Sequence, residues 1–168
     1  MYKVSHGILV KRGVMKMKVL VDADGCPVVG ETIEIAKQHN LSIILICDTA
    51  HEMHRDGAET ITVSKGADAV DFVLVNKVKP FDIVVTQDYG LAAMVLAKKA
   101  FAIDQNGREY TVDNIDALLH ARHTAKKIRM SGGRLKGPKK RSKDANRAFQ
   151  DELRKLLQKA AARNLYET

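Results

Sequence analysis

A chain of 168 residues, 45% apolar, 29% charged and 5% aromatic, is long enough for one compact domain with a sizeable core and too balanced for a disordered, collagen-like or coiled-coil protein. Two cysteines, Cys26 and Cys47, exclude a disulfide framework and a four-cysteine zinc site, which favours a reducing, cytoplasmic setting. The net charge of +8 conceals a division: residues 1–17 carry +4, 18–121 carry −7, 122–154 carry +9 and 155–168 carry +2. An acidic body with basic ends is the pattern of a protein that meets a polyanion.

Residues 1–17 hold Lys3, Lys11, Arg12 and Lys16 around one short apolar piece, without the apolar region or cleavage site of a signal peptide, and read as a disordered leader. No run approaches the roughly 20 apolar residues that span a bilayer, so no membrane partner is expected. Lys18 to Asp22 is a short apolar run ending in a carboxylate, and Leu41 to Asp48 is a nearly continuous β-branched run of the kind buried on both faces of a parallel sheet. Between them Val28 to His39 has helical apolar spacing, with Pro27 suited to a first turn. A strand at Thr60 to Val63 follows, then a helix from Asp68 to Lys77 whose apolar side is assigned Ala69, Phe72, Val73 and Val75 to Val78, then a buried strand at Phe81 to Thr86. The alternation predicts an α/β domain over 18–125 with a mainly parallel central sheet flanked by helices.

Farther on, Tyr89 to Lys99 reads as a helix and Phe101 to Asp104 as a strand. The Asn106-Gly107 turn lets Arg108 to Thr111 pair back, and a helix capped by Asp113 or Asn114 runs through Ile115, Leu118 and Leu119. Residues 126–143, rich in Gly, Ser and cations, read as a basic mobile loop, and 144–163 as a C-terminal helix that docks through Phe149, Leu153, Leu156 and Leu157. The spacing of Gly132 to Gly137 imitates a phosphate loop, but Pro138 stands where lysine is required.

Aspartates recur where strands end: Asp22 and Asp24 after the first, Asp48 after the second, Asp88 after the strand ending at Thr86. Taken singly, each is the ordinary cap of a helix or turn. In a parallel sheet, however, the carboxyl ends of the strands share one rim, and Asp68 and Asp71 stand on one face of the helix that follows. Carboxylates so gathered repel unless a cation neutralises them. With hard oxygens only, the expected ion is Mg2+ or Mn2+, held by Asp22, Asp24, Asp68, Asp71 and Asp88, with Asp22, Asp24, Asp71 and Asp88 as the expected catalytic acids and Thr86 beside them. Asp48 is expected to order its loop and Asp82 to be structural. Cys26 reads as a packed thiol, and His51 and His54 as solvated loop residues. The cations Arg129, Arg134, Lys136, Lys139, Lys140 and Arg141 form the core of a ribbon with almost no aromatics, suited to the phosphate backbone of RNA or another polynucleotide rather than to base readout.

DADGCPV (Asp22 to Val28), SKGADAVDFVLV (Ser64 to Val75), DIVVTQDYGLAA (Asp82 to Ala93), the NG-x-x-YT-x-x-NI stretch (Asn106 to Ile115) and SGGRLKGPKKRSKDANRAF (Ser131 to Phe149) resemble the YaiI/YqxD family over about Met17 to Leu157. Gly25 stands where relatives commonly carry Ala. That family is itself similar to PIN-like and NYN nuclease domains. The resemblance implies a PIN-like three-layer sandwich in which Asp22 is the acid after the first strand, Thr86-x-Asp88 is the T-x-D motif, and Asp68 or Asp71 is the helix acid of an Mg2+ or Mn2+ site. The function expected is a divalent-metal-dependent nuclease acting on RNA. Two alternatives stand beside it: a non-catalytic RNA-binding or ribosome-associated module, and a haloacid-dehalogenase-like phosphatase in which Asp22 is the nucleophile, Asp24 the acid/base and Lys65 the later lysine.

Overall fold

The computed structural model describes residues 2–5 and 8–11 as backbone, and residues 15–66, 68–134, 137 and 140–167 in full. Within the segment read as a disordered leader, β1 (Tyr2–Ser5) and β2 (Ile8–Lys11) form an antiparallel pair separate from the main sheet. The chain enters the domain at Met15, whose backbone N–H donates to Asn164 Oδ1 and whose carbonyl accepts from Asn164 Nδ2, at 3.2 and 2.7 Å.

The main sheet has six strands: β3 (Lys18–Asp22), β4 (Ser42–Asp48), β5 (Glu59–Val63), β6 (Ile83–Val85), β7 (Phe101–Ile103) and β8 (Glu109–Tyr110). Their order is β5-β4-β3-β6-β7-β8, all parallel except β8, which pairs back antiparallel on β7. The central strands are apolar on both faces because both faces are covered. Val19, Val21, Ile43, Leu45, Ile83 and Val85 pack under α1 (Val29–Gln38) and α5 (Lys143–Glu167). Leu20, Ile44, Ile46 and Val84 pack under α2 (Ala69–Lys77), α3 (Tyr89–Ala97) and α4 (Val112–Met130). The result is the expected α/β domain, a three-layer sandwich with the mostly parallel sheet in the middle. None of the described helices is long and apolar enough to cross a membrane.

Three local expectations are corrected. The cap of α4 is Thr111, whose side chain accepts from the Asn114 amide while Asn114 accepts from the Thr111 amide, a reciprocal capping box in place of a cap at Asp113 or Asn114. The helix then continues through Lys126 to Met130, where a mobile loop was expected to begin. Lys and Arg are good helix formers, and the stop comes only at Ser131-Gly132, with Gly132 at φ +83°. Phe72, assigned to the buried side of α2, is 72% exposed. At the β7–β8 turn Gly107 has φ +87°, and a Cβ there would stand 3.0 Å from Glu152 on α5, so turn and helix approach closely only because the residue is glycine.

Candidate functional site

The chain runs from β3 outward to β4 and β5, then returns to place β6 on the other side of β3. Strand order therefore reverses between β3 and β6, and the crevice beyond their carboxyl ends is where an open α/β sheet holds ligands. Asp22 closes β3, while Thr86 and Asp88 follow β6. Thr86 is 1% exposed and fully committed. Its Oγ1 donates to Asp22 Oδ2 at 2.8 Å and accepts from the Asp88 amide at 3.0 Å, while the Tyr110 hydroxyl donates to its carbonyl at 3.3 Å. Asp88 Oδ1 accepts from the Leu91 amide at 3.0 Å, capping α3, and lies 3.5 Å from an Arg122 guanidinium nitrogen.

From the other side, α2 supplies its acids without spending them on capping. Asp68 occupies the cap position at φ +61°, which aspartate tolerates, yet makes no capping bond. Among the described residues Asp22, Asp71 and Asp88 do not come within 4.8 Å of one another as a group, and they act through their charges across the rim. Burial pushes the Asp22 carboxyl up to about 6, the Thr86 hydroxyl pulls it back, and the charges of Asp71, Asp24 and Asp88 raise it further. Burial raises Asp71 as well, reinforced by Asp88 and Asp68 and opposed by Arg122. Asp68, Asp71, Asp88 and Arg122 line one cavity of about 750 Å³, together with Phe72 and Met94.

Asp24 is turned elsewhere. Both its oxygens accept from the Asp48 amide, at 3.1 and 3.3 Å, so it ties the end of β3 to the end of β4. Asp48 Oδ1 in turn accepts from the amides of Ala50 and His51 and meets His51 Nδ1 at 2.8 Å, and that last contact is the chief reason its carboxyl titrates low. Asp24, Asp48 and His51 thus form a bonded corner beside the crevice, close enough together to share an ion. Cys26 is packed and its thiol is raised by burial. Asp82 accepts from the amides of Lys18 and Lys79, at 3.0 and 2.9 Å, at the opposite ends of the strands.

The cations divide into two kinds. Arg141 is bound to the body: it donates to Asn146 Oδ1 at 2.6 Å, Asn106 Oδ1 at 3.2 Å and the Gln105 carbonyl at 2.5 Å. Arg129, on α4, and Arg134 and Lys140, beyond it, are exposed. Lys136 and Lys139 lie outside the described residues.

The family model described as "Uncharacterized BCR, YaiI/YqxD family" matches residues 20–159. The chain belongs to the YaiI/YqxD family. Proteins named UPF0178 are similar along nearly their whole length: that of Exiguobacterium sibiricum is 55% identical over 141 residues, 84% of this chain and 96% of the relative. That of Lachnoclostridium phytofermentans is 48% identical over 144 residues, covering 84% and 97%, and that of Natranaerobius thermophilus 42% over 142 residues, covering 84% and 96%. No solved structure matches. The YaiI/YqxD segments DADGCPV, SKGADAVDFVLV and DIVVTQDYGLAA are the ones that carry Asp22, Asp71 and Asp88, of which Asp71 and Asp88 line the cavity.

Two side chains of the site are not marked out by the sequence. Arg122 is one of twelve basic residues in the 122–154 segment, with nothing in the sequence to set it apart, although it is the cation that pairs with Asp88. Phe72 was placed in the core. Its position four residues after Asp68 and one after Asp71 carried the missing signal, since a stripe that holds two acids faces water.

Proposed function

We propose that this YaiI/YqxD-family chain is a divalent-metal-dependent phosphodiesterase of PIN-like type acting on RNA. The observation that carries the reading is that Asp22 and Asp71, where strand order reverses, are both raised, first by burial and then by neighbouring carboxylates: Asp71, Asp24 and Asp88 act on Asp22, and Asp88 and Asp68 on Asp71. Such repulsion is relieved by a cation, and the donors are hard oxygens, which fits Mg2+ or Mn2+. Asp22, Asp71 and Asp88 would hold the ion, with Asp68 in support and Asp24 contributing charge. A bound ion would supply an activated water and stabilise the leaving oxygen.

The chain's own groups do the rest. Thr86 fixes the Asp22 carboxylate through its hydroxyl, and Tyr110 fixes Thr86 through its carbonyl. Arg122, beside Asp88, would meet the scissile phosphate. The exposed cations Arg129, Arg134 and Lys140, with Lys136 and Lys139, would offset the repulsion that a carboxylate crevice exerts on a polynucleotide. The phosphatase alternative needs Asp24 as acid/base, and both Asp24 oxygens are engaged by the Asp48 amide. That engagement favours the nuclease.

The test is cleavage of unstructured and structured RNA with Mg2+ or Mn2+, alongside Asp71→Asn and Asp88→Asn. Asn at 88 can still cap α3, so that variant removes charge and spares the helix. Turnover in the wild type that is lost in both variants is expected. Salt-sensitive RNA binding without turnover in any metal would overturn the enzyme reading and leave a binding module.

A further inference from the structure

We propose that Phe72 and Met94 form a nucleobase subsite in the wall of the carboxylate cavity, so that the polynucleotide received there is single-stranded. The inference rests on the RNA-nuclease reading and adds the substrate class. Helical winding puts Asp68, Asp71, Phe72 and Val75 at i, i+3, i+4 and i+7, one stripe of α2 that faces the cavity. Phe72 is 72% exposed and Met94, across the cavity on α3, is 43% exposed. One exposed apolar side chain is ordinary on any surface. Here two share a concavity with Asp71, Asp88 and Arg122, the groups assigned to the scissile phosphate and its ion.

Charge identifies the occupant. Arg122 opens a row on α4 that continues at i+4 and i+7 with Lys126 and Arg129, about 6 and about 10 Å farther along the axis. All three are exposed. A cationic row leading into a pocket that holds an exposed aromatic side chain fits an anionic backbone carrying flat rings, and a lone peptide or lipid anion supplies only half of that. A duplex base is stacked on both sides and cannot present a face to Phe72, whereas an unpaired base can. Phe72 has no hydrogen-bonding group, so the subsite accepts any base.

The experiment is equilibrium binding of a short unstructured RNA and of a blunt duplex in EDTA, for the full chain and for Phe72→Ala and Phe72→Tyr, with cleavage in Mn2+ measured in parallel. Phe72→Ala is expected to weaken single-strand binding about fivefold or more, the scale of one lost base stack, with Phe72→Tyr restoring it and duplex binding unchanged. Because the chain has no tryptophan, Phe72→Trp gives a single reporter whose emission should change when the single strand binds. Wild-type affinity in Phe72→Ala, or an equal loss on the duplex, overturns the subsite and leaves the nuclease reading standing. Phe72-dependent binding without cleavage in any metal overturns the nuclease reading and keeps the subsite. Absence of RNA binding by the wild type overturns both.

Discussion

The Thr86 hydroxyl holds Asp22 Oδ2 at 2.8 Å while accepting from the Asp88 amide at 3.0 Å, so one buried oxygen joins the acids of two neighbouring strands. Thr86→Val keeps the shape and removes the oxygen. It leaves the Asp88 amide unpaired and takes from Asp22 the one hydrogen bond that lowers its pKa. The cost should be about 1–3 kcal/mol in urea unfolding, with the Asp22 carboxyl titrating still higher by NMR and RNA cleavage falling. Thr86→Ser retains the donor and should restore both readouts.

Asp22 also makes stability depend on pH in a direction opposite to the usual aspartate. Its folded carboxyl titrates near pH 6 and its unfolded one near 3.8, so the folded state binds the proton more tightly. The stability that the proton confers is present below about pH 4 and is lost as pH rises through about 6. The full effect is on the order of 3 kcal/mol at about 1.4 kcal/mol per unit. Asp22→Asn should therefore match the wild type in urea at low pH, exceed it at pH 8 in EDTA, and cleave nothing. Mg2+ or Mn2+ should raise wild-type stability at pH 8 more than that of the variant. Equal pH profiles would show that Asp22 is not strained by its neighbours.

Where burial dictates composition, the chain could be read directly. Leu41 to Asp48 is apolar because β4 is covered on both faces, and acids at the ends of β3 and β6 follow from a parallel sheet that brings those ends to one rim. The contents of the rim were less legible. Asp24 and Asp88 look alike in sequence, yet one spends both oxygens on the Asp48 amide and the other caps α3 beside Arg122. That difference depends on residues 24 and 34 positions away in the chain. Phe72 is apolar yet exposed, because helical phase sets it on the stripe that carries Asp68 and Asp71. The end of α4 is less legible because apolar periodicity stops at Lys126 and Gly, Ser and Pro follow from Ser131, although nothing in Lys126 to Arg129 breaks a helix.

Arg141 illustrates the same limit, since a count of cations does not say which of them are occupied. It joins the segment after α4 to the Gln105-Asn106 turn and to Asn146 at the start of α5. Arg141→Lys cannot reproduce three bonds from one planar group. A stability loss of about 1–3 kcal/mol is expected, with faster proteolysis between 131 and 142. Lys140→Ala, one residue away and exposed, should leave both unchanged.

The exposed cations should reveal themselves through salt instead. If Arg129, Arg134 and Lys140 each neutralise one phosphate of a single strand, each releases counterions worth about 0.7 in the slope of log affinity against log salt. The triple alanine variant should flatten that slope by about 2, weaken binding at low salt equally for every sequence tested, and keep the wild-type unfolding curve. Arg141→Ala should behave in reverse, moving the unfolding curve and leaving the slope nearly untouched, because its guanidinium is committed to the fold. An unaltered slope in the triple variant would remove these residues from the RNA path and assign the backbone contacts to Arg122 and Lys126.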